Sequence, residues 1–385
     1  MMFALLPLVP SMLLDGLRTL LCKPMMERYA SSSSSRLAWL DRADAELHSS
    51  FWQTLLFLGA NDARPLVISC PRMTRQGVAR LAEVPLLDRS LARLRLTPLA
   101  DAPVPSLLAR CSKPEGSELV DGDEAPLADA PVPSLLARCS KPDGSELVDG
   151  DEEAGQRADA IRRVRAWVRR TLTPGGGLRF CPYTQSDAIA GGGLETQGIR
   201  AAPILHDASM APTILPLLVD FWRAVSEMVA RGEAGASSIL LAAPAWDGRW
   251  AAWCTEVFPV LEASLLASGL SRQLGIVCFH PEYETPSAQY LARHRFGHMH
   301  SQDRIRSWVQ SERPDLSKAT SDETLAWAAA YQRRSPHAVI NVLWAAQLEA
   351  AEQRRTSSRL YTRNVGVAIA GGREALELAA AAERS

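Results

Sequence analysis

The segment SILLAA, residues Ser238 to Ala243, decides the fold class because it is a short, largely apolar run that Pro244 closes. Such runs are typical of strands that are buried on both faces of a sheet. GIVCFH (Gly275 to His280), ended by Pro281, repeats the pattern, and IRAAPILH (Ile199 to His206) precedes both. We therefore expect about three strands in this half of the chain.

The segments between and around these runs have the apolar spacing of amphipathic helices. In Ala211 to Ala230 the apolar residues follow the i, i+3, i+4, i+7 rule, and Ala158 to Thr171 does the same. Strands that alternate with helices predict an α/β domain whose strands are joined by helical crossovers. We place this layered domain at residues 157–370 and a C-terminal helix at 371–385.

The segment RRSPHAVINVL (Arg333 to Leu343) predicts the last patterned helix of that domain. Ser335 is expected to be its N-cap and Pro336 its first helical residue. Apolar residues follow at helical spacing, namely Val339, Val342, Leu343 and Ala346. On this interpretation Arg334 is free to point at the strand ends, where it would bind a carboxylate or a phosphate.

Residues 98–156 contain an internal repeat. Pro98 to Glu124 recurs as Pro126 to Glu152 with one change, Glu115 to Asp143, which we interpret as a tandem duplication. From residue 98 to residue 153, 13 acids and four bases give a net charge of −9. This acidic, proline-rich composition predicts a disordered linker. The alternative interpretation is that PSLLARC docks a basic protein partner.

The N-terminal segment, residues 1–35, begins with an uncharged apolar run, MMFALLPLVPSMLL, that is too short to span a bilayer. Ser31 to Ser35, followed by Arg36, has the hydroxyl-rich, basic character of an organelle transit peptide. We expect either targeting to a plastid or another organelle, or a flexible start and a cytoplasmic location. Residues 36–97 are predicted to form a small, mostly helical region with one strand at PLVIS (Pro65 to Ser69).

The overall composition excludes several classes of function. Forty-two Lys+Arg and 43 Asp+Glu give a net charge of −1, so the chain as a whole is not built to bind nucleic acid or an anionic membrane. Its seven cysteines form no CxxC pair, which excludes a zinc ribbon. No glycine run has the spacing of a nucleotide-binding loop. We therefore expect no nucleic-acid partner, no transmembrane segment and no cofactor.

The C-terminal ends of the predicted strands indicate where a site would lie. If the three strands form one parallel sheet, these ends meet at one edge, and open α/β sheets bind ligands at that edge. The residues that follow or end the strands are His206, Trp246, Asp247, His280, Glu282 and Tyr283. Trp246, in the loop PAWDGRW, is the expected pocket wall or partner contact.

Cys181 is the candidate nucleophile. It lies in the loop GGGLRFCP close to Arg179, and nearby positive charge lowers the pKa of a thiol. His280 would be its base if the strand end approaches this loop. The alternative is a tightly packed turn in which the small thiol fills space.

Histidines and carboxylates cluster after the third strand, at His280, Glu282, Glu284, His294, His298 and His300. His294 and His298 are four residues apart, as zinc ligands on a helix often are. Gly297 weakens a helix there, and no HExxH motif is present. A solvated polar insertion is the favoured interpretation, so we expect no metal site.

An arginine-rich helix face follows the linker, comprising Arg157, Arg162, Arg163, Arg165, Arg169 and Arg170. Its expected partner is a phosphate, an acidic protein or the acidic linker of the same chain. Nucleic acid is not expected, because no aromatic residues of a reading motif are interleaved with the arginines.

Three motifs resemble a known family. They are WV…CPY (Trp167, Val168, Cys181 to Tyr183), GIVCFHPEY (Gly275 to Tyr283) and RRSPHAVINVL (Arg333 to Leu343). In the same order they are similar to the LCPF, SFHP-x-Y and NRSP-x-P…HLLRE motifs of a domain-of-unknown-function family of bacteria and photosynthetic eukaryotes. The resemblance covers roughly residues 160–365 and implies no particular reaction. Asn341 to Ala345 replaces the family's His-Leu-Leu-Arg-Glu, so this chain lacks any chemistry that depends on those polar residues.

Two functions remain open. The first is a non-catalytic binding or assembly factor that acts in an organelle and presents a cleft to a protein partner or a small anionic ligand. The expected binding residues are Trp246, Glu282, Tyr283, Arg334 and Ser335, with His280 beside them. The second is a small enzyme that uses Cys181 and His280 on an anionic small molecule. The first is favoured because no complete catalytic constellation is present.

Overall fold

The structure is a computed structural model in which the chain forms two units, Met1–Leu147 and Val148–Ser385. In the second unit it describes residues 150–286, 300–353 and 357–384. In the first it describes 36–40, 66–71, 75–84, 94–100 and 105–111, with single residues or short runs between 23 and 102. Most of the predicted targeting segment, and residues 112–149 of the predicted linker, lie outside the described residues.

The first unit contains a four-stranded sheet with the strand order β1-β2-β4-β3. Strand β1 (Arg36–Trp39) is parallel to β2 (Leu66–Ser69), whereas β4 (Ser106–Cys111) lies between β2 and β3 (Leu94–Pro98) and is antiparallel to both. Helix α1 (Arg75–Glu83) follows β2. The sequence predicts β2 but not the other three strands, because such short strands carry too little pattern to distinguish them from helix.

Strand β4 lies inside the first copy of the repeat, where the sequence predicts a linker from residue 98. Leu107 and Ala109 are fully buried and Leu108 between them is partly exposed, so the segment alternates as a strand does. The sequence did not predict this strand, because the acidic composition of the whole repeat indicates a linker and the apolar alternation is only a few residues long. Helix α2 (Gly150–Trp167) likewise begins before residue 156, the predicted end of the linker.

The second unit is built on a five-stranded sheet with the strand order β5-β6-β7-β9-β8, which confirms the predicted α/β class. The strands are β5 (Ile189–Ala190), β6 (Ala202–Ala208), β7 (Ser238–Ala242), β8 (Leu274–Phe279) and β9 (Val339–Trp344). β6 is parallel to β7, and β9 is antiparallel to both β7 and β8. The C-terminal ends of β6, β7 and β8 therefore share one edge of the sheet, and β9 begins at that edge.

Helices cover both faces of this sheet. After α2 they are α3 (Ile214–Gly235), α4 (Trp250–Ala252), α5 (Phe258–Ser268), α6 (Gln302–Glu312), α7 (Pro314–Ala319), α8 (Asp322–Tyr331), α9 (Ala345–Gln353), α10 (Ser357–Gly371) and α11 (Arg373–Arg384). α2, α6, α8, α10 and α11 share one buried core with a face of the sheet, and α3 and α5 pack on its other face. None of the described helices is both long and apolar enough to cross a membrane.

Strand β9 replaces the helix predicted from RRSPHAVINVL, so that prediction is wrong. Val339 and Val342 have helical spacing, but a short β-branched run is equally typical of a strand, and pairing with β7 and β8 on its two sides decides between them. Ser335 is consequently not a helix N-cap. Its hydroxyl donates to the carbonyl oxygen of His337 at 2.5 Å and tightens the turn that leads into β9.

Candidate functional site

The loop that follows β7, residues 244–249, connects the other segments at the C-terminal edge of the sheet. The indole N–H of Trp246 donates to the carbonyl of Ala211 at 3.0 Å, and Arg249 donates to the carbonyl of Pro212 at 2.9 Å. Both bonds join this loop to the segment after β6. Arg249 also lies over the Trp246 ring, 4.0 Å from its centre.

His280 joins the same loop to the end of β8. Its Nδ1 accepts the backbone N–H of Glu282 at 3.0 Å, so the proton lies on Nε2, which donates to the carbonyl of Trp246 at 3.0 Å. The ring is fully buried, and burial lowers its pKa. A neutral imidazole with both nitrogens engaged has no lone pair left to accept a proton from Cys181.

Cys181 lies instead in a loop that α10 holds in place. The side-chain amide of Asn364 donates to the carbonyl of Phe180 at 2.9 Å, and Arg363 donates to the carbonyl of Arg179 at 2.8 Å. The half-buried thiol packs against the core of the second unit. This placement matches the alternative interpretation, in which the cysteine fills space in a packed turn.

The aromatic residues predicted to line a cleft are packed into the molecule. Trp246 is only 2% exposed, and Tyr283 is buried with its ring 5.0 Å from that of Trp250. Burial raises the pKa of the Tyr283 hydroxyl. Glu282 is exposed and engages His280 through its backbone alone. These residues close the edge of the sheet rather than open a pocket in it.

Arg334 points away from the strand ends, toward α11. Its guanidinium forms an ion pair with Glu377, whose carboxylate also accepts the indole N–H of Trp327 at 2.8 Å. The carbonyl of Arg334 accepts the indole N–H of Trp167 at 2.8 Å. The residue therefore joins three helices to the turn before β9, and its charge already has an internal carboxylate partner.

A polar pair that the sequence did not predict, Asp247 and His337, lies at this edge. Nδ1 of His337 lies 2.7 Å from a carboxylate oxygen of Asp247, whose other oxygen accepts the backbone N–H of Ala338 at 2.7 Å. Nε2 of His337 is buried and has no hydrogen-bond partner among the described residues. Because β9 begins at Val339, two residues after His337, a strand at VINVLW places His337 at the edge where Asp247 lies.

The arginines of α2 and the turn after it are matched by carboxylates of the same unit. Arg165 and Arg169 each lie 2.8 Å from Asp187, and Arg170 forms a two-pronged contact with Glu383 at 2.6 and 2.8 Å. Burial raises the pKa of Asp187, but the two arginines outweigh it and the net pKa is lowered. These arginines form ion pairs within the second unit and are therefore not free to bind an external phosphate.

The predicted histidine cluster is only partly described. His294 and His298 lie outside the described residues, and the ring of His300 packs 4.8 Å from those of Trp308 and Tyr361. His206 lies within β6, and its Nε2 bonds to the carbonyl of Asp187 at 2.7 Å. In the described ranges no three potential ligands are grouped to hold a metal ion.

A groove of about 600 Å³ lies between α10 on one side and α6 and α7 on the other. Its lining has three arginines, one acid, one threonine and five apolar residues, namely Glu312, Arg313, Leu316, Arg359, Thr362, Arg363, Gly366, Val367, Ile369 and Ala370. Ligand pockets have about this volume. The sequence did not predict this groove. Its lining residues come from two segments, 312–316 and 359–370, and neither segment contains a recognisable binding motif.

Comparison of the chain with known protein families, with curated proteins and with solved structures finds no match. The resemblance to the domain-of-unknown-function family therefore stays a prediction.

Proposed function

We propose that the second unit is a non-catalytic binding domain for a small anionic molecule, which it holds in the groove between α10 and α6–α7. The observation that supports this most directly is the surroundings of Arg363. Its guanidinium donates to the carbonyl of Arg179 at 2.8 Å and to the amide oxygen of Asn364 at 3.2 Å, and no described carboxylate is paired with it. The positive charge of Arg363 is therefore not neutralised by any described carboxylate at the groove.

The other charges of the groove give it a net positive balance. Arg359 is 80% exposed and lies 3.8 Å from Glu312, the one acid in the lining. Arg313 is held by Asp315, which lies outside the lining, through bonds of 2.7 to 3.2 Å. A guanidinium offers planar, directed donors that suit carboxylate and phosphate oxygens. An anion is therefore the ligand that this lining favours.

The proposal is tested by titrating the full chain with acetate and with inorganic phosphate by calorimetry. We expect Arg363→Gln to weaken binding about tenfold, which corresponds to the loss of a charge-assisted hydrogen bond. The matched control is Arg231→Gln, because Arg231 pairs with Glu227 on the exposed surface of α3 at 2.7 Å. Absence of binding by both anions, or equal binding by the two variants, would contradict the proposal.

A second candidate, an acid–base enzyme, is favoured by the Asp247–His337 pair alone. The carboxylate holds the imidazole in the tautomer whose Nε2 has a free lone pair, as in general-base catalysis. 4-Nitrophenyl acetate tests this candidate. Nε2 would take a proton from a water molecule that attacks the ester carbonyl, giving acetate and 4-nitrophenol. Equal hydrolysis rates for the wild type and His337→Gln would eliminate it.

A further inference from the structure

We propose that the anion taken by this groove is amphipathic, with a carboxylate or phosphate head and an alkyl tail. This inference rests on the proposed function and names the ligand class of the same site. It follows from the way polar and apolar residues are distributed along the groove.

The polar lining is confined to one end of the groove. On α10 it comprises Arg359, Thr362 and Arg363, which lie within about one helical turn of one another. Across from them Glu312 accepts a hydrogen bond from the hydroxyl of Ser358 at 3.0 Å, which places the C-terminal end of α6 at this same end. An anionic head has its donors here.

Thr362 adds an observation that is independent of the arginines. Its side chain lines the groove and is only 2% exposed, yet its hydroxyl has no hydrogen-bond partner among the described residues. A buried hydroxyl without a partner carries a free-energy cost that a ligand oxygen would remove. Because Thr362 is next to Arg363 in the chain, both groups can serve one head.

The other end of the groove is apolar. On α10 it comprises Gly366, Val367, Ile369 and Ala370, and α7 contributes Leu316. Val367, Ile369 and Leu316 are only partly buried although they pack against the core. From Arg363 to Ala370 the helix rises about 10 Å, so a tail of medium length fits along this wall. An inorganic anion would leave the wall exposed to water, whereas an alkyl tail covers it.

Gly366 is the residue of the apolar end that lies nearest to Arg363 along α10. A Cβ atom at this position would be 3.6 Å from Cδ2 of Leu316, on the facing wall. The two walls therefore approach each other closely at this position, beside the apolar end that a tail would cover. A large side chain here would block the passage without touching the arginines.

The experiment compares acetate, hexanoate, octanoate and decanoate, below their micelle concentrations, as ligands of the full chain. Burial of each methylene is worth about fourfold in affinity, so binding should tighten stepwise along the series until the apolar end is filled. Octanol, which has the tail without the charge, should bind more weakly than octanoate. Gly366→Phe should remove the gain in affinity with chain length.

Two variants separate the tail site from a general loss of structure. Val367→Ser should lower the ratio of octanoate affinity to acetate affinity, and an unfolding transition in urea at the wild-type midpoint shows that the variant is folded. Leu378→Ser is the matched control, because Leu378 is 72% exposed on α11. Octanoate binding no tighter than acetate, or equal binding by the two variants, would overturn the amphipathic ligand and leave anion binding intact. Loss of binding for every anion in the wild type would overturn the proposed function as well.

Discussion

The carboxylate of Asp247 lies 2.7 Å from Nδ1 of His337 and joins the loop after β7 to the start of β9. An ionised carboxylate can only accept, so Nδ1 carries a proton, and in the neutral imidazole Nε2 carries the lone pair. The second carboxylate oxygen accepts the backbone N–H of Ala338 at 2.7 Å. One side chain thus fixes both the tautomer of His337 and the position at which β9 enters the sheet.

Asp247→Asn is expected to reverse the tautomer of His337. The amide has one oxygen and one NH₂ group, so if its oxygen keeps the N–H of Ala338, its NH₂ must face Nδ1 and the proton moves to Nε2. That proton is buried without an acceptor, and we expect a loss of about 1–3 kcal/mol in the free energy of unfolding. The chemical shifts of ¹⁵N-labelled histidine report the tautomer.

The control for this variant is Asp315→Asn. Asp315 is an exposed partner of Arg313, which lowers the pKa of Asp315 to about 2 by hydrogen bonding. Exposed pairs of this kind contribute little to stability. A ¹⁵N spectrum in which His337 keeps Nδ1 protonated in Asp247→Asn would contradict the assignment.

The buried His280 is expected to make the second unit sensitive to acid. Burial lowers its folded-state pKa below the unfolded value of about 6.5. The unfolded chain therefore binds more protons in this range, and the contribution of His280 is fully present above pH 6.5 and is lost as the pH falls toward the folded-state pKa. His280→Gln cannot be protonated, so its unfolding free energy should fall less between pH 7 and 5 than that of the wild type.

Urea titrations at several pH values, followed by tryptophan fluorescence, measure this difference. His206 also has a lowered pKa, from burial, and its substitution by Gln should reduce the slope independently. In the first unit burial lowers the pKa of His48 to about 3, so the comparison is between variants and not between absolute values. Parallel profiles for the wild type and His280→Gln would show that this imidazole is not the buried neutral group described above.

Two strands of the second unit could be predicted because each is a short apolar run with a clear end in the sequence. SILLAA and GIVCFH are closed by prolines, and β7 and β8 lie within one residue of the predicted bounds. The position of β9 could not be predicted, because the apolar residues of VINVLW are compatible with a helix as well as with a strand. The strand forms because β9 can pair with β7 on one side and with β8 on the other. These partners are distant in the chain, so the local sequence does not reveal them.

Contacts between segments that are distant in the chain also limited the prediction of the candidate site. The sequence placed Asp247 and His280 at the sheet edge, and both are there, but their partners are backbone groups and a histidine from distant segments. The predicted pairing of Cys181 with His280 required one ring nitrogen with an available lone pair, whereas both nitrogens of His280 are engaged by backbone groups. Spacing along the chain carries no information on that, since backbone groups supply most partners of buried side chains.

The contact between Arg170 and Glu383 is expected to hold α11 against the end of α2. Both side chains are largely buried, and the two nitrogens of the guanidinium meet the two carboxylate oxygens at 2.6 and 2.8 Å. Glu383→Gln keeps the shape and removes the charge, and should cost about 1–3 kcal/mol. Glu227→Gln, in the exposed pair with Arg231, should cost about 0.5 kcal/mol or less. Equal unfolding midpoints in urea for the two variants would contradict a fastening role.

Gly366 and Gly176 should respond in opposite directions to substitution by alanine. Gly366 lies in the interior of α10, and a Cβ there meets only Cδ2 of Leu316 at 3.6 Å, an ordinary contact. Alanine is favoured over glycine in a helix by about 1 kcal/mol, so Gly366→Ala should raise the Tm by about 2–4 °C. At Gly176 a Cβ would overlap the carbonyl oxygen of Arg169, so the backbone of the π-helical segment Val168–Leu172 would have to move. Such overpacking costs about 1–3 kcal/mol, so Gly176→Ala should lower the Tm. Calorimetric scans of the two variants and the wild type measure both shifts, and a lowered Tm for Gly366→Ala would mean that α10 and α7 are packed more closely than described.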